Sequence, residues 1–300
     1  MIRNSIIPLI LMLFARCGSS DDGYTNPEEL IVCFSVTEDY DKTVDKVEAF
    51  KSYLSETLGM KVKIYKVTNG SAVIEAMKAK KIHVGSTGAF SYIMAKSKID
   101  IQPLVTSATV SKDTIHNYWS CIIVPKNSSI HSIEDLQEKK GELTMAWAYP
   151  TSTSGHLIPR SYLKKNGIEE DDFKEVMVSE NHVASLYNCI TNKVDVAAVN
   201  NVSINTYLKR GKIKKEDFRV IWKSNPIPRG SIFVSNDLDS GLTQEIRRAL
   251  ADLHIADPEA SSKIHYNYDY QVKYIPIDDT YYDSLRLMAT DVGLFDLNLN

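Results

Sequence analysis

The sequence predicts an α/β protein resting on mainly parallel sheet, from three observations. Apolar strand-like runs alternate with helix-length amphipathic runs through the first third of the chain. The same βα rhythm returns across the middle third. A strong breaker, Asn225-Pro226-Ile227-Pro228-Arg229-Gly230, then interrupts the chain. Two βα rhythms separated by a breaker near Pro226 fit two lobes.

Taken in order, Leu30 to Val36 reads as a buried strand. Asp41 to Leu58 is an amphipathic helix, with Val44, Val47, Phe50, Leu54 and Leu58 at steps of three and four. Asp41 is placed to cap it and Gly59 to end it. Lys61 to Val67 alternates as a half-buried strand does. Ser71 to Lys80 is a helix, Ile82 to Ser86 a strand and Gly88 to Lys98 a helix. Tyr118 to Val124 begins the middle segment as a strand rich in β-branched and aromatic residues. Ser132 opens a short helix with Asp135 in the capping-box region. The strand Leu143 to Ala148 leads into a helical run over 157–165, which Pro159 should start late or bend. Gly167 ends it. Strands follow at 175–178, 194–199, 218–222 and 231–234, and helices at 183–191, 203–209 and 241–254. The tail carries two aromatic-rich stretches, 266–274 and Tyr281-Tyr282.

Composition narrows the function. The 300 residues are 43% hydrophobic and 24% charged, with net charge -3, so the chain can bury a large core and shows no basic stripe for nucleic acid. An anionic ligand would have to be held by local donors rather than by net field. Of four cysteines, Cys33, Cys121 and Cys189 lie in apolar runs and read as buried free thiols. No Cys/His spacing indicates a metal, and no cofactor is implied. Residues 1–23 read as signal peptide and linker: Arg3, then the apolar run Ile6 to Ala15, too short to span a bilayer comfortably, then Cys17 and a polar stretch. The arrangement resembles a bacterial lipoprotein signal, with Cys17 as the lipidation position, although Arg16 stands where a small residue is expected.

The stretch richest in chemistry is Pro150-Thr151-Ser152-Thr153-Ser154-Gly155-His156, between a strand and a helix. The first turn of a helix offers unpaired N–H groups and the positive end of the dipole. Ser and Thr add neutral O–H donors that rotate to suit an oxyanion. The competing use of Ser152 or Thr153 is as a plain helix cap.

Several segments together resemble a known family: Tyr118 to Val124, Ile133-Glu134-Asp135-Leu136, Pro150 to Gly155 with Pro159, Asn181-His182, Val194-Asp195-Val196-Ala197, and Ile221 to Ser224 with Ile227-Pro228. In that order and spacing they are similar to the phosphonate-binding protein of phosphonate ABC importers. The resemblance implies a two-lobe periplasmic binding protein fold of type II, with the ligand in the interlobe cleft. Lobe 1 would be residues 26–117 plus 227–300 and lobe 2 residues 118–226. It implies capture of a small phosphonate or phosphite by hinge closure, and delivery to permease and ATPase subunits. The protein would be a monomer in the periplasm or on the outer face of the cytoplasmic membrane, reaching the membrane only through an N-terminal lipid.

Carried over, the ligand residues are Tyr118, Thr151, Ser152, Thr153, Ser154 and His182. Asp195 is as well explained by a structural hydrogen bond as by a role at the ligand. Where aminoalkyl-phosphonate binders place a carboxylate after the His, this chain has Val183, and Gly70 and Thr87 stand where aromatic residues would line an amine pocket. 2-Aminoethylphosphonate is therefore not the expected ligand; phosphite, methylphosphonate or another small phosphonate is. Tyr92 and Trp119 are open alternatives as cleft walls. Other readings are the same fold binding phosphate, sulfate or a sulfonate, a ligand-sensing ectodomain, or a hydrolase using Ser152 or Ser154 with His182 and Asp195. The loop lacks the Gly-x-Ser-x-Gly elbow that the last would favour.

Overall fold

The computed structural model describes residues 26–35, 40–67, 69–110, 118–265 and 271–296. The expected leader, with Cys17, lies outside them. Two sheets divide the strands. The first carries β1 (Glu29–Ser35), β2 (Lys61–Val67), β3 (Val84–Thr87), β4 (Ile101–Thr109), β10 (Ser231–Ser235) and β11 (Val272–Pro276), in the order β11-β4-β10-β3-β1-β2. The second carries β5 (Ser120–Pro125), β6 (Thr144–Trp147), β7 (Glu175–Val178), β8 (Val196–Asn200) and β9 (Phe218–Lys223), in the order β7-β6-β8-β5-β9. Helices α1 (Tyr40–Leu58), α2 (Gly70–Lys78), α3 (Ala89–Lys96), α8 (Ser240–Ala256), α9 (Pro258–Ile264) and α10 (Asp283–Asp291) belong to chain segments of the first sheet. Helices α4 (Ile133–Glu138), α5 (Ile158–Lys165), α6 (His182–Ile190) and α7 (Asn201–Lys209) belong to the second.

Each sheet is mixed rather than mainly parallel. The βα rhythm does produce parallel pairs, β1 with β2 and β3, and β6 with β7 and β8. The strands that follow or precede a crossing enter antiparallel, β10 against β3 and β4, and β5 against β8 and β9. The reason is connectivity: a parallel neighbour needs a crossover helix, whereas a chain arriving from the other sheet can enter in either direction.

Four apolar clusters flank the two sheets. On the first sheet, Phe50 and Leu54 of α1 and Ile246 and Leu250 of α8 pack on one face, and Val73 of α2 and Phe90 of α3 on the other. On the second, Leu163 of α5 and Leu186 of α6 take opposite faces. At roughly 1.5–3 kcal/mol for each large apolar side chain buried, these layers supply most of the stabilisation. Gly59 (φ +62°) and Gly167 (φ +70°) follow the ends of α1 and α5 in the left-handed conformation expected of such stops. Ser132 and Asp135 form the reciprocal capping box at α4. The three cysteines are free and buried, and burial pushes their thiols up to about 12, 11 and 12 for Cys33, Cys121 and Cys189. Among the described residues no helix is long and apolar enough to cross a membrane.

The chain crosses between sheets after β4 and after β9. The two crossings touch at one antiparallel bridge, Tyr118 to Ile227, where Ile227 N–H donates to the Tyr118 carbonyl at 2.8 Å.

Candidate functional site

The parallel strands of both sheets deliver helix starts to one cavity of about 340 Å³. Binding at the carboxyl ends of parallel strands is the general rule for such sheets, because the following helix N-termini converge there. Asn181 caps α6 by accepting from Ala184 N–H at 2.9 Å, and Asn200 caps α7 by accepting from Ser203 N–H at 2.7 Å. Both Asn side chains line the cavity, as do Thr87 and Gly88 just before α3.

The hydroxyl loop after β6 is wound as a π turn over Thr153–Leu157, with Leu157 N–H reaching back to Ser152 O at 3.0 Å. Such turns are rare and recur at functional sites. This one is held from several sides. Ser152 Oγ accepts from Gly155 N–H at 3.0 Å, Ser120 Oγ donates to Ser154 O at 2.6 Å, and Ala148 N–H donates to Gly155 O at 2.9 Å. Pro159 follows directly in α5, and the Ser154 and Gly155 carbonyls that its missing N–H leaves open accept from Ser120 Oγ and Ala148 N–H instead. Ser152, Thr153 and Ser154 are buried to within 2% exposure, so an oxyanion that met them would be largely desolvated.

His182, first residue of α6, faces this turn. Its Nε2 lies 3.2 Å from Ser152 Oγ and 3.4 Å from Ser154 Oγ. Burial lowers its pKa from 6.5 to about 4, so the ring is neutral at pH 7. Nδ1 is buried and meets no hydrogen-bond partner among the described residues. Gly155 makes the approach possible: a Cβ there would lie 2.4 Å from Ala148 Cβ and 2.7 Å from His182 Cε1. Tyr149, whose ring meets His182 edge-on at 6.1 Å, adds a phenol that burial keeps protonated, its pKa pushed up to about 12.

Of the residues predicted from sequence, Tyr118, Ser152, Thr153, Ser154 and His182 all line the cavity. Thr153 does a second job, since its Oγ1 accepts from Phe90 N–H of α3 at 2.9 Å. The structure does not bring Thr151 or Asp195 into the lining. Thr151 Oγ1 instead lies 3.1 Å from Ser71 Oγ and 3.0 Å from Ser91 Oγ, and its carbonyl accepts from Ser91 Oγ at 2.9 Å, which ties the loop to α2 and α3. Asp195 lies just before β8, at the end of the strands away from the cavity. Its carboxylate accepts from Thr144 N–H at 2.8 Å and Thr144 Oγ1 at 2.7 Å. Val183 and Thr87 line the cavity, whereas Gly70 packs under Ser91. Tyr92 is core, donating to Asp279 at 2.6 Å, and Trp119 stacks under the Lys223 ammonium at 4.0 Å. Sequence reading missed Lys46, Tyr149, Asn200 and Arg229, which also line the cavity. Arg229 sits over the Tyr118 ring at 5.5 Å, its position set by the crossing between Pro228 and Gly230. The one signal available was a cation inside the Pro-rich breaker.

Comparison with known proteins agrees with this architecture. Residues 33–282 match the family model described as "ABC transporter, phosphonate, periplasmic substrate-binding protein". The chain is 31% identical to the phosphonates-binding periplasmic protein of Escherichia coli over 198 residues, 66% of this chain and 58% of that protein's length. The chain therefore spans just under three fifths of that relative. Among solved structures, a binding protein component of an ABC phosphonate transporter from Pseudomonas aeruginosa superposes with a TM-score of 0.77 at 23% identity, covering 92% of this chain and 90% of that one. PhnD1 from Prochlorococcus marinus, in complex with methylphosphonate, gives a TM-score of 0.77 at 21% identity, covering 90% and 100%.

Proposed function

This chain belongs to the periplasmic substrate-binding proteins of phosphonate ABC transporters, and on that premise we propose that it captures a small phosphonate or phosphite in the cavity between its two sheets and hands it to a membrane permease driven by an ATPase subunit. The observation that carries this reading is the buried turn of Ser152, Thr153 and Ser154 facing His182, in a cavity whose described lining holds Lys46 and Arg229 and no Asp or Glu.

The mechanism follows from the donors. A PO3 group has three acceptor oxygens, and a charged oxygen left unpaired in a closed cleft would cost more than the ~1–3 kcal/mol of a neutral group. Ser152 and Ser154 turn their hydroxyl protons to the ligand, Tyr118 donates its phenol, and His182 donates from Nε2. Helix starts at α3, α6 and α7 add favourable dipoles. A dianion beside His182 raises its pKa, so binding recruits a proton to the ring. The segments 26–117 with 227–300 and 118–226 act as lobes, hinged at the paired crossings near Tyr118 and Ile227. Closing brings Thr153 to Phe90 N–H and Thr151 to Ser71 and Ser91, so these bonds latch the closed form. In this reading the site binds rather than catalyses, in keeping with a family of substrate-binding transport proteins, and the Asp195 carboxylate is engaged by Thr144 instead of His182.

A thermal-shift screen followed by titration calorimetry tests the proposal, with phosphite, methylphosphonate, 2-aminoethylphosphonate, phosphate and sulfate. A ligand at a hundredfold excess over Kd stabilises the native state by about 2.7 kcal/mol. The expected result is a clear shift with phosphite or a simple phosphonate and a weaker one with the amine compound. No shift with any phosphorus oxyanion would overturn it.

A further inference from the structure

The hydroxyl turn has a second histidine behind it. His182 faces the cavity from α6, whereas His156, within the turn itself, does not line the cavity and is 6% exposed. Its ring meets the buried Trp147 of β6 edge-on, with centroids 5.6 Å apart and planes at 73°. Its Nδ1 lies 2.7 Å from the Pro150 carbonyl oxygen. A carbonyl can only accept, so Nδ1 carries the proton and donates. The other ring nitrogen, Nε2, lies 3.5 Å from Arg160 Nη1, and Arg160 Nη1 donates to Glu170 Oε2 at 2.6 Å. Glu170 Oε2 is itself 3.8 Å from Nε2. Burial is the main influence that holds the ring's pKa below the ordinary 6.5 and so keeps it neutral at pH 7, with Arg160 assisting and the Pro150 bond and Glu170 opposing.

This bond reaches a part of the loop that the ladder of the π turn does not. That ladder runs from Leu157 N–H to Ser152 O and from Ile158 N–H to Thr153 O. It leaves out Pro150 and Thr151, where the loop enters. Thr151 is fastened by Ser71 of α2 and Ser91 of α3, which belong to segments of the first sheet. Those bonds span the two segments that the proposed hinge would part. His156, Pro150, Trp147, Arg160 and Glu170 all lie within 118–226, so the His156 bond stays made when the segments separate. We propose that His156 is a positioning residue for ligand binding: its Nδ1–H, fastened to the Pro150 carbonyl, closes the loop over 150–156 on itself and sets the Ser152 and Ser154 hydroxyls in place before a ligand arrives. This rests on the reading of the turn as a phosphorus oxyanion site. Donors fixed beforehand lose less freedom on binding, and a binding constellation works only when held within about 0.5 Å of its productive geometry. His156 acts through the turn and not on the ligand, so its loss weakens every PO3 compound alike and leaves the preference among them unchanged.

Titration calorimetry of methylphosphonate and phosphite into the full chain decides this, for the wild type, His156→Phe, His156→Asn and Asp195→Asn. Phe keeps an aromatic ring against Trp147 and removes the N–H, whereas Asn offers an amide N–H near the place of Nδ1. His156→Phe is expected to bind whichever compound the wild type binds at least tenfold more weakly. His156→Asn is expected to recover at least half of that loss on a logarithmic scale. Asp195→Asn is expected to lower the melting temperature without moving affinity, which separates positioning from a general loss of stability. A loss below tenfold in a folded His156→Phe overturns the proposal, and so does a smaller recovery in His156→Asn. A loss in Asp195→Asn as large as that in His156→Phe assigns the effect to stability and overturns it as well. If His156→Phe does not fold, nitrogen-15 NMR of the wild-type imidazoles and the affinity of His156→Asn decide: an Nε2–H tautomer at His156, or a loss of tenfold or more in His156→Asn, overturns the proposal. A wild type that binds no phosphorus oxyanion defeats the underlying reading too, whereas a wild type and a His156→Phe that bind equally well defeat this inference alone.

Discussion

The two walls of the cavity solve different problems. The wall from the second sheet is neutral, short-armed and already hydrogen-bonded: Ser152 to Gly155 and His182, Ser154 to Ser120 and His182, and Thr153 across to α3 of the first sheet. It loses little entropy when a ligand arrives, because its rotamers are fixed beforehand. The wall from the first sheet is cationic and reaches in on long side chains, Lys46 and Arg229. The first kind of wall selects by shape, since hydroxyls and helix starts fit a tetrahedral oxyanion. In the proposed function the second contributes by charge, through Lys46 and Arg229 in the lining. The difference teaches that, under the proposed function, affinity for PO3 and choice among PO3 compounds would be separable.

The sharpest way to break that division is at Gly155. Gly155→Ala forces a Cβ against Ala148 and His182. Overpacking of this kind costs ~1–3 kcal/mol, so the melting temperature should fall, and affinity for every PO3 ligand should fall a hundredfold or more by calorimetry. Ser152→Ala comes next. It removes a cap worth ~1 kcal/mol and a bond to a charged group worth ~1.5–3 kcal/mol, so methylphosphonate and phosphite should both weaken about tenfold to a hundredfold. A loss confined to one ligand class would show that the two walls are not separable.

His182 sharpens the comparison through pH. Its folded pKa, about 4, lies below the ordinary 6.5. Between those values the unfolded chain binds more protons than the folded one, so stability falls as pH drops from about 6.5 toward 4. His182→Gln should flatten part of that fall in denaturant titrations at pH 4 to 7. The slope due to His265, depressed to about 3, should remain. Net proton exchange on ligand binding near pH 6 should be more positive (more uptake or less release) in the wild type than in His182→Gln, by the proton that His182 takes, as read by calorimetry in buffers of different ionisation enthalpy.

The smallest effects belong outside both walls. Thr151→Val removes the hydroxyl near Ser71 and Ser91 but leaves the cavity lining intact. It should weaken all ligands alike, about threefold to tenfold, at ~0.5–1.5 kcal/mol for a neutral hydrogen bond. Asp195→Asn should leave affinity unchanged and lower stability by about 1 kcal/mol.

How far these features were legible in the sequence follows the same division. The hydroxyl turn is local: four hydroxyl residues, a Gly and a strand-to-helix junction lie within seven positions, and the chemistry can be read there. The strand Ile101–Thr109 escaped notice because Pro103 argues against a central strand. The structure accommodates it where the register of β10 against β4 shifts between Ile232 and Phe233, with Phe233 opposite Pro103. Asp195 is an open candidate in sequence because the resembling segment Val194-Asp195-Val196-Ala197 carries it, and of its two readings the structure shows the structural hydrogen bond, to Thr144, at the strand end away from the cavity. Lys46 and Arg229 are distant from each other and from the turn in sequence. Nothing local marks such a pair, since only tertiary packing brings it to the cavity.

The most direct test of the central claim is calorimetric titration of methylphosphonate into the wild type and the double variant Ser152→Ala/Ser154→Ala, with circular dichroism confirming that both are folded. We predict saturable one-to-one binding by the wild type and a loss of at least a hundredfold in the double variant. Equal affinity in both would place the PO3 group elsewhere and contradict the account.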